Sequence, residues 1–203
     1  MIKNIVFDMG NVILRYDPEY FMTRAGVTDT EDRRIIRNGL FDSWEWAMMD
    51  RGMMNEQDGF SSVMKRIPEN LRDVTGLLMF HWADARETVP GMEELVQKIK
   101  NAGYHLYLLS NASFLQHTYW PKVPVSRLFD GEVISCDIRA VKPMPEIYKA
   151  LTEKYGLIES ECVFIDDSAS NVAGAIACGW EGIVFHQNAE ETEAELKKMG
   201  VTI

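Results

Sequence analysis

At 203 residues the chain is long enough for one full hydrophobic core, or for a core unit carrying a smaller one. With 46% hydrophobic and 26% charged residues it has an ordinary globular balance, and a formal net charge of −10 argues against a nucleic-acid partner, whose phosphates demand a basic face. That charge does not exclude a phosphorylated small molecule, because a divalent cation and one or two local ammonium groups hold phosphate inside an acidic protein.

Residues 2–7, a β-branched and aromatic run ending at Asp8, read as a buried strand. The next stretch, 16–87, contains no strand pattern and reads as helices. Asp17-Pro18 is an N-cap with proline at the first helical position. Asn55 with Asp58 three residues later, just after Gly52, is a second helix start. From Pro90-Gly91 onward strand and helix alternate. An amphipathic helix with Leu95, Val96 and Ile99 is closed by Gly103, and a strand follows at 105–109. A shorter strand is expected at 132–135, a helix at 145–155 stopped by Gly156, and a strand at 162–165. A helix at 171–178 stopped by Gly179 and a last strand at 182–185 complete the pattern.

Such alternation specifies an α/β fold: a Rossmann-like three-layer core with a mainly parallel sheet. Nearly a hundred residues separate the first two strands, whereas one strand–helix–strand unit needs roughly 30. A helical module, residues 16–87, is therefore expected as an inserted cap on a core of residues 1–15 and 88–203. Its cluster of Trp44, Trp46, Met48, Met49, Met53 and Met54 reads either as a ligand-facing lid or as ordinary packing among helices.

Three cysteines, Cys136, Cys162 and Cys178, show no metal-type spacing and read as small reduced core residues. The four histidines show no usable ligand spacing either. Met1 to Phe7 is too short for a signal peptide, and no apolar run approaches the roughly 18 residues of a membrane span. The expectation is a cytoplasmic protein, monomer or weak homodimer, with no membrane partner.

In an open parallel sheet, ligands bind beyond the carboxyl ends of the strands. The expected strands end in Asp8, in Ser110-Asn111 and in Asp166-Asp167, and Lys142 follows the third. Three carboxylates, a hydroxyl and an ammonium thus converge. Phosphoryl transfer asks for such a set. A carboxylate attacks phosphorus through an acyl-phosphate, but two anions approach only if positive charge intervenes. Asp8, Asp166 and Asp167 offer hard oxygen ligands for Mg²⁺, Lys142 adds a compact positive charge, and the Ser110 hydroxyl can donate to phosphate. Each group alone is equally well a surface residue or a helix cap; their order at successive strand ends carries the reading.

These segments resemble the four motifs of the haloacid dehalogenase superfamily, and the helical insertion resembles its first-type cap. Phe-Asp-Met-Gly-Asn-Val-Ile at 7–13 is similar to a bacterial subgroup containing the α-D-glucose-1-phosphate phosphatase. So are Ser110-Asn111 with Tyr119-Trp120-Pro121, Lys142-Pro143, and Phe164-Ile165-Asp166-Asp167 followed by Asn171. The resemblance implies Asp8 as nucleophile and metal ligand, the Gly10 carbonyl, Asp166 and Asp167 as further Mg²⁺ ligands, and Ser110, Asn111 and Lys142 as phosphate-binding residues. Asn171 either positions the acidic pair or is an ordinary helix residue.

One departure stands out. Most phosphatases of the superfamily carry a second Asp two residues after the nucleophile, which protonates the leaving oxygen; here that position is Gly10. Three readings follow: Asp17 or Asp166 replaces it, with Asp17 read first as an N-cap; or the leaving group needs little protonation, as an anomeric phosphate's would; or turnover is slow. Asp50-Arg51, just before the Gly52 break, lies where a cap loop reaches the site, and Arg51 suits a polar or anionic group on the substrate. The expected function is Mg²⁺-dependent hydrolysis of a small phosphorylated metabolite, for which a sugar phosphate is a candidate, through a covalent aspartyl-phosphate on Asp8. The alternatives are a metal-free 2-haloacid dehalogenase using the same Asp, against which Gly10 and the acidic pair speak, and a low-turnover phosphosugar-binding regulatory protein. A phosphomutase would need the second acid–base group that Gly10 lacks.

Overall fold

The computed structural model describes residues 1–203. Five strands form one parallel sheet in the order β3-β2-β1-β4-β5: β1 Asn4–Phe7, β2 His105–Ser110, β3 Gly131–Ile134, β4 Cys162–Asp166 and β5 Glu181–Val184. The chain steps outward from β1 to β2 and β3, then returns to the other side of β1 for β4 and β5. That reversal leaves a crevice at the carboxyl ends of the central strands, where a ligand meets no crossover connection.

Side chains alternate across the sheet, and each face has its own core. Ile5 and Phe7 of β1, Leu106 and Leu108 of β2, and Val163 and Ile165 of β4 face one apolar layer with Leu95, Val96 and Ile99. Val6, Tyr107, Leu109 and Phe164 face the other, with Ile147, Tyr148 and Leu151. Because β1, β2 and β4 are covered on both sides, their sequences read as continuous apolar runs.

Between β1 and β2 lie α1 Pro18–Arg24, α2 Thr30–Ile36, α3 Trp44–Asp50, α4 Glu56–Val63 and α5 Arg72–His81, with a π-helical turn at Arg37–Phe41 and no strand among the described residues. The starts follow local chemistry. Asp17 accepts hydrogen bonds from the backbone N–H groups of Glu19 and Tyr20, ahead of Pro18. Asn55 accepts from the Asp58 N–H. The two strands of chain that connect this insertion to the core run side by side: the Arg15 N–H donates to the Glu87 carbonyl at 2.8 Å and the Val89 N–H to the Ile13 carbonyl at 3.0 Å.

After the insertion come α6 Met92–Asn101, α7 Gln116–Tyr119, α8 Ser135–Ile138, α9 Pro145–Tyr155, α10 Ala169–Ala177 and α11 Ala189–Lys198. Gly156 closes α9 in the left-handed region, as its sequence predicts. The terminal helix α11 is the element the pattern of residues does not announce. It is almost wholly polar and buries little more than Thr192 and Leu196.

The aromatic and methionine cluster at 44–54 divides between the two readings. Met49 is buried among the helices, Trp44 and Met53 are exposed, and Trp46 turns toward the crevice.

Within the insertion three polar residues lie in the interior, Ser43, Glu45 and Thr75, and of these only Glu45 is ionisable. The Glu45 carboxylate is fully buried and accepts from both Arg66 guanidinium nitrogens, at 2.6 and 2.5 Å, and from the Ser62 hydroxyl at 2.7 Å. The Arg66 bonds lead in holding its pKa down at about 2. Glu45→Gln removes the charge and is expected to cost about 2 kcal/mol in urea unfolding. Since its folded pKa is depressed, this contribution is complete above the carboxylate's unfolded value and disappears as pH falls toward about 2. A wild-type-minus-variant difference that stays constant down that acid limb would contradict the assignment.

Candidate active site

The site is built where β1, β2 and β4 end. Asp8 follows Phe7, and its N–H is anchored to the Ile165 carbonyl at 2.9 Å. The chain then turns sharply, with the Ile13 and Leu14 N–H groups returning to the Met9 carbonyl. Asn11 takes a left-handed backbone, φ 55°, a conformation that asparagine tolerates well. Its side chain joins two pieces of the site, donating to Asp167 Oδ2 at 3.1 Å and accepting from the Tyr16 N–H at 3.0 Å.

Lys142 lies across the floor. Its ammonium reaches Asp8 Oδ1 at 2.6 Å, Asp166 Oδ2 at 2.7 Å and the Leu109 carbonyl at 3.0 Å, so all three donors of a fully buried cation are used. Burial pulls this ammonium toward neutrality, but the two carboxylates outweigh it and its pKa rises. The loop carrying Lys142 is itself held by Asn111, which donates to the Lys142 carbonyl at 3.1 Å and accepts from its N–H at 2.8 Å.

Asp166 is saturated. Oδ1 accepts from the Ser168 N–H at 2.8 Å and from Asn171 at 3.1 Å, while Oδ2 accepts from Lys142 and from Asn171 at 3.1 Å. A carboxylate has about four lone-pair sites, and all are taken. Asn171 thus does position the acidic pair; of its two readings this geometry selects the first.

Asp8, Asp166 and Asp167 bring carboxylate oxygens within 4.8 Å of one another. One ammonium faces three carboxyl groups. Burial, with Asp166 nearby, lifts Asp8 to about 7 even though Lys142 opposes the shift. Burial also raises Asp167. A pocket short of positive charge and lined with hard oxygens fits a divalent cation.

Above this floor is a cavity of about 330 Å³. Asp8, Gly10, Asn111, Lys142, Asp167 and Asn171 line it from the core, and Trp46, Asp50 and Trp82 from the insertion. Ser110 and Asp166 are buried at strand ends and are not among its walls. Arg51 is not either: its guanidinium donates to the Arg139 carbonyl at 3.3 Å. Sequence reasoning passed over Tyr16, Phe41, Trp82 and Tyr119, which also line the cavity. They are scattered over a hundred residues with no shared motif. Asn11 did carry a signal, a turn-forming residue directly after Gly10.

Asp17 is spoken for elsewhere. It caps α1 and pairs with Arg15 at 2.7 Å, and though partial burial works against it, these contacts lower its pKa. His117 also meets the adjacent pair Cys136 and Asp137. There His117 Nε2 lies 3.0 Å from Asp137 Oδ1 and the Cys136 thiol points at the same oxygen. Burial first, then Asp137, pushes that thiol up to about 12, so it stays protonated and away from thiolate chemistry.

With this geometry the comparisons with known proteins agree. A family model described as haloacid dehalogenase-like hydrolase matches residues 2–179, and the chain belongs to that family. It is 26% identical, over 89% of its length and 90% of the relative's, to the D-ribitol-5-phosphate phosphatase of Bacteroides thetaiotaomicron. It is also 26% identical to a phosphorylated carbohydrates phosphatase of Thermotoga maritima, covering 90% of this chain and 84% of that protein. Flavin mononucleotide hydrolase 1 of Arabidopsis thaliana matches at 28% identity over 56% of the chain, which spans less than half, 46%, of that enzyme. Among solved structures, the fold is shared with a haloacid dehalogenase family enzyme of B. thetaiotaomicron at TM-score 0.72 and 21% identity, covering 96% of this chain and 98% of that one. The same enzyme is known in complex with magnesium and inorganic phosphate.

Asp17→Ala should therefore act on the helix and not on chemistry. It is expected to cost about 1 kcal/mol of stability and to leave the turnover rate unchanged. A rate that falls with stability intact would return Asp17 to the list of acids.

Proposed function

We propose that this protein hydrolyses a small phosphorylated metabolite, of the sugar-phosphate class, through a covalent aspartyl-phosphate on Asp8, with Mg²⁺ as its metal. The observation that carries this is the buried array of Asp8, Lys142 and Asp166 beside Asp167, at the floor of a cavity small enough for one metabolite. Two phosphatases of phosphorylated polyols and carbohydrates among the relatives support the substrate class.

Asp8, the Gly10 carbonyl and Asp167 would hold the ion. Asp166, with every lone pair engaged in this arrangement, contributes its charge and the placement of Lys142. What Mg²⁺ supplies when bound is positive charge between the nucleophile and the anionic substrate. The steps belong to the protein's residues. A free oxygen of Asp8 attacks phosphorus; the bond to the leaving oxygen breaks and an acyl-phosphate forms. Lys142, already 2.6 Å from Asp8, orients that carboxylate and neutralises phosphate charge. Water then attacks the acyl-phosphate, releasing phosphate and restoring Asp8. Trp46, Trp82, Tyr16 and Tyr119 wall the cavity against bulk water and offer flat apolar faces to a sugar ring.

The dehalogenase alternative gains nothing from the floor of this site: a neutral haloalkyl carbon needs no three-carboxylate cluster. Phosphate release from a panel of sugar phosphates is expected with Mg²⁺ and to be lost in EDTA. Asp8→Asn is expected to reduce turnover at least about 1,000-fold, since a neutral amide replaces the attacking carboxylate. Release that survives in Asp8→Asn, or chloride release from 2-chloropropionate without metal, would overturn the reading.

A further inference from the structure

If the site works as proposed, something must give a proton to the leaving oxygen, and Gly10 has no side chain with which to do it. The absence is not steric. A Cβ at Gly10 would meet only the Tyr16 Cβ, at an ordinary 3.6 Å, and the backbone there is not left-handed. Room for a Cβ exists, so the backbone does not demand glycine there. Asp17 caps a helix and Asp166 has no free lone pair.

The geometry points to Asp50, the last residue of α3, as the general acid that protonates the leaving oxygen and then, as the conjugate base, activates the hydrolytic water. This rests on the phosphatase reading. Asp50 lines the same cavity as Asp8, and a cavity of about 330 Å³ is about 9 Å across if spherical. In that span a phosphoryl group attacked in line by Asp8, which lines the cavity from the core, carries its leaving oxygen away from Asp8, and Asp50 lines the same cavity from the insertion.

Although Asp50 belongs to the insertion, the core grips it at several points. Its backbone carbonyl accepts from the Ser135 hydroxyl, which in turn accepts from the Ala112 N–H at 2.9 Å. Next to it, Arg51 bonds to the Arg139 carbonyl, and Gly52, φ 67°, lies so close to Cys136 that any Cβ would fall 2.0 Å from its carbonyl oxygen. Glu56 accepts from the Leu115 N–H at 3.1 Å. These contacts tie the 50–56 segment to the loop after β2 and to α8 with its C-cap Arg139, which follow β2 and β3.

Its protonation state suits the role. Burial, aided by Glu56 and resisted by the Ser113 N–H, lifts the Asp50 carboxyl to about 8, so it carries a proton at neutral pH yet gives it up readily. Tyr16 and Tyr119 share the cavity, but burial raises both above the ordinary tyrosine range and makes them poorer donors. In the first step the Asp50 proton passes to the bridging oxygen as its bond to phosphorus breaks, leaving an alcohol. In the second the Asp50 carboxylate takes a proton from the water that attacks phosphorus, as the bond to Asp8 breaks.

An acid is needed most where the leaving group is a poor one. The test compares kcat/KM for a simple alkyl phosphate, glycerol 1-phosphate, with that for 4-nitrophenyl phosphate, whose phenolate leaves without help. Both are measured with Mg²⁺ for wild type, Asp50→Asn, Asp50→Glu and Asp8→Asn. Expected for Asp50→Asn is a loss of at least about 100-fold on the alkyl ester but under about 5-fold on the aryl ester, with partial recovery in Asp50→Glu. The aryl substrate also reports that the variant is folded. Equal losses on both esters, or a change confined to KM, would overturn the role of Asp50 while leaving the phosphatase reading intact. Wild type inactive on both would instead defeat that reading itself.

Discussion

A single buried ammonium organises this molecule's chemistry. Lys142 has no contact with bulk water and spends its three donors on Asp8, Asp166 and the Leu109 carbonyl, thereby linking the ends of β1, β2 and β4. A lone charge in such a place would be driven toward neutrality by desolvation. Two carboxylates keep it charged, and it in turn offsets part of their repulsion. The balance is incomplete in electrostatic terms: three carboxyl groups meet one cation, and burial, with Asp166 adding to it, lifts Asp8 toward neutrality. An acidic cluster of this kind, with a single ammonium beside it, suits a divalent cation.

The parallel sheet is the device that assembles this array. Strands that all run the same way deliver their carboxyl-terminal residues to one edge, and the reversal of strand order around β1 leaves that edge open. Packing on both faces fixes the strand ends, since β1, β2 and β4 have no side free to move. Positions a hundred and sixty residues apart, such as Asn11 and Asp167, then come within hydrogen-bonding distance. The placement of Asp8 at the end of β1 is inherited from the sheet.

The helical insertion supplies the opposite wall. It is joined to the core at the paired segments around Arg15 and Val89 and fastened again through Asp50, Arg51, Gly52 and Glu56. The second set of contacts falls on the segments that follow β2 and β3, which also carry the Asn111 and Lys142 side of the cavity. Specificity and chemistry are therefore mechanically connected: a change that loosens the segment around Gly52 alters the cavity wall and the supporting loops together. Gly10 makes this connection consequential, because it leaves the core without a proton donor of its own beside Asp8.

Local physics made much of this legible in the chain. Continuous β-branched runs marked the strands, Asp17-Pro18 and Asn55 marked helix starts, and Gly156 a helix end, because each of these signals is decided within a few residues. Candidate site residues followed once the strands were aligned, since a parallel sheet gathers Asp8, Asn111, Lys142 and Asp167 at a common edge. The polar helix Ala189–Lys198 escaped because its narrow apolar stripe is hardly distinguishable from a solvated segment. What tertiary structure alone decided was the division of labour: Asp17 as a cap, Asp166 as a saturated anchor, Arg51 turned away and Asp50 turned inward. Those roles depend on which lone pairs are already taken and how much water each carboxyl has lost. Both are properties of neighbours brought in from distant parts of the chain.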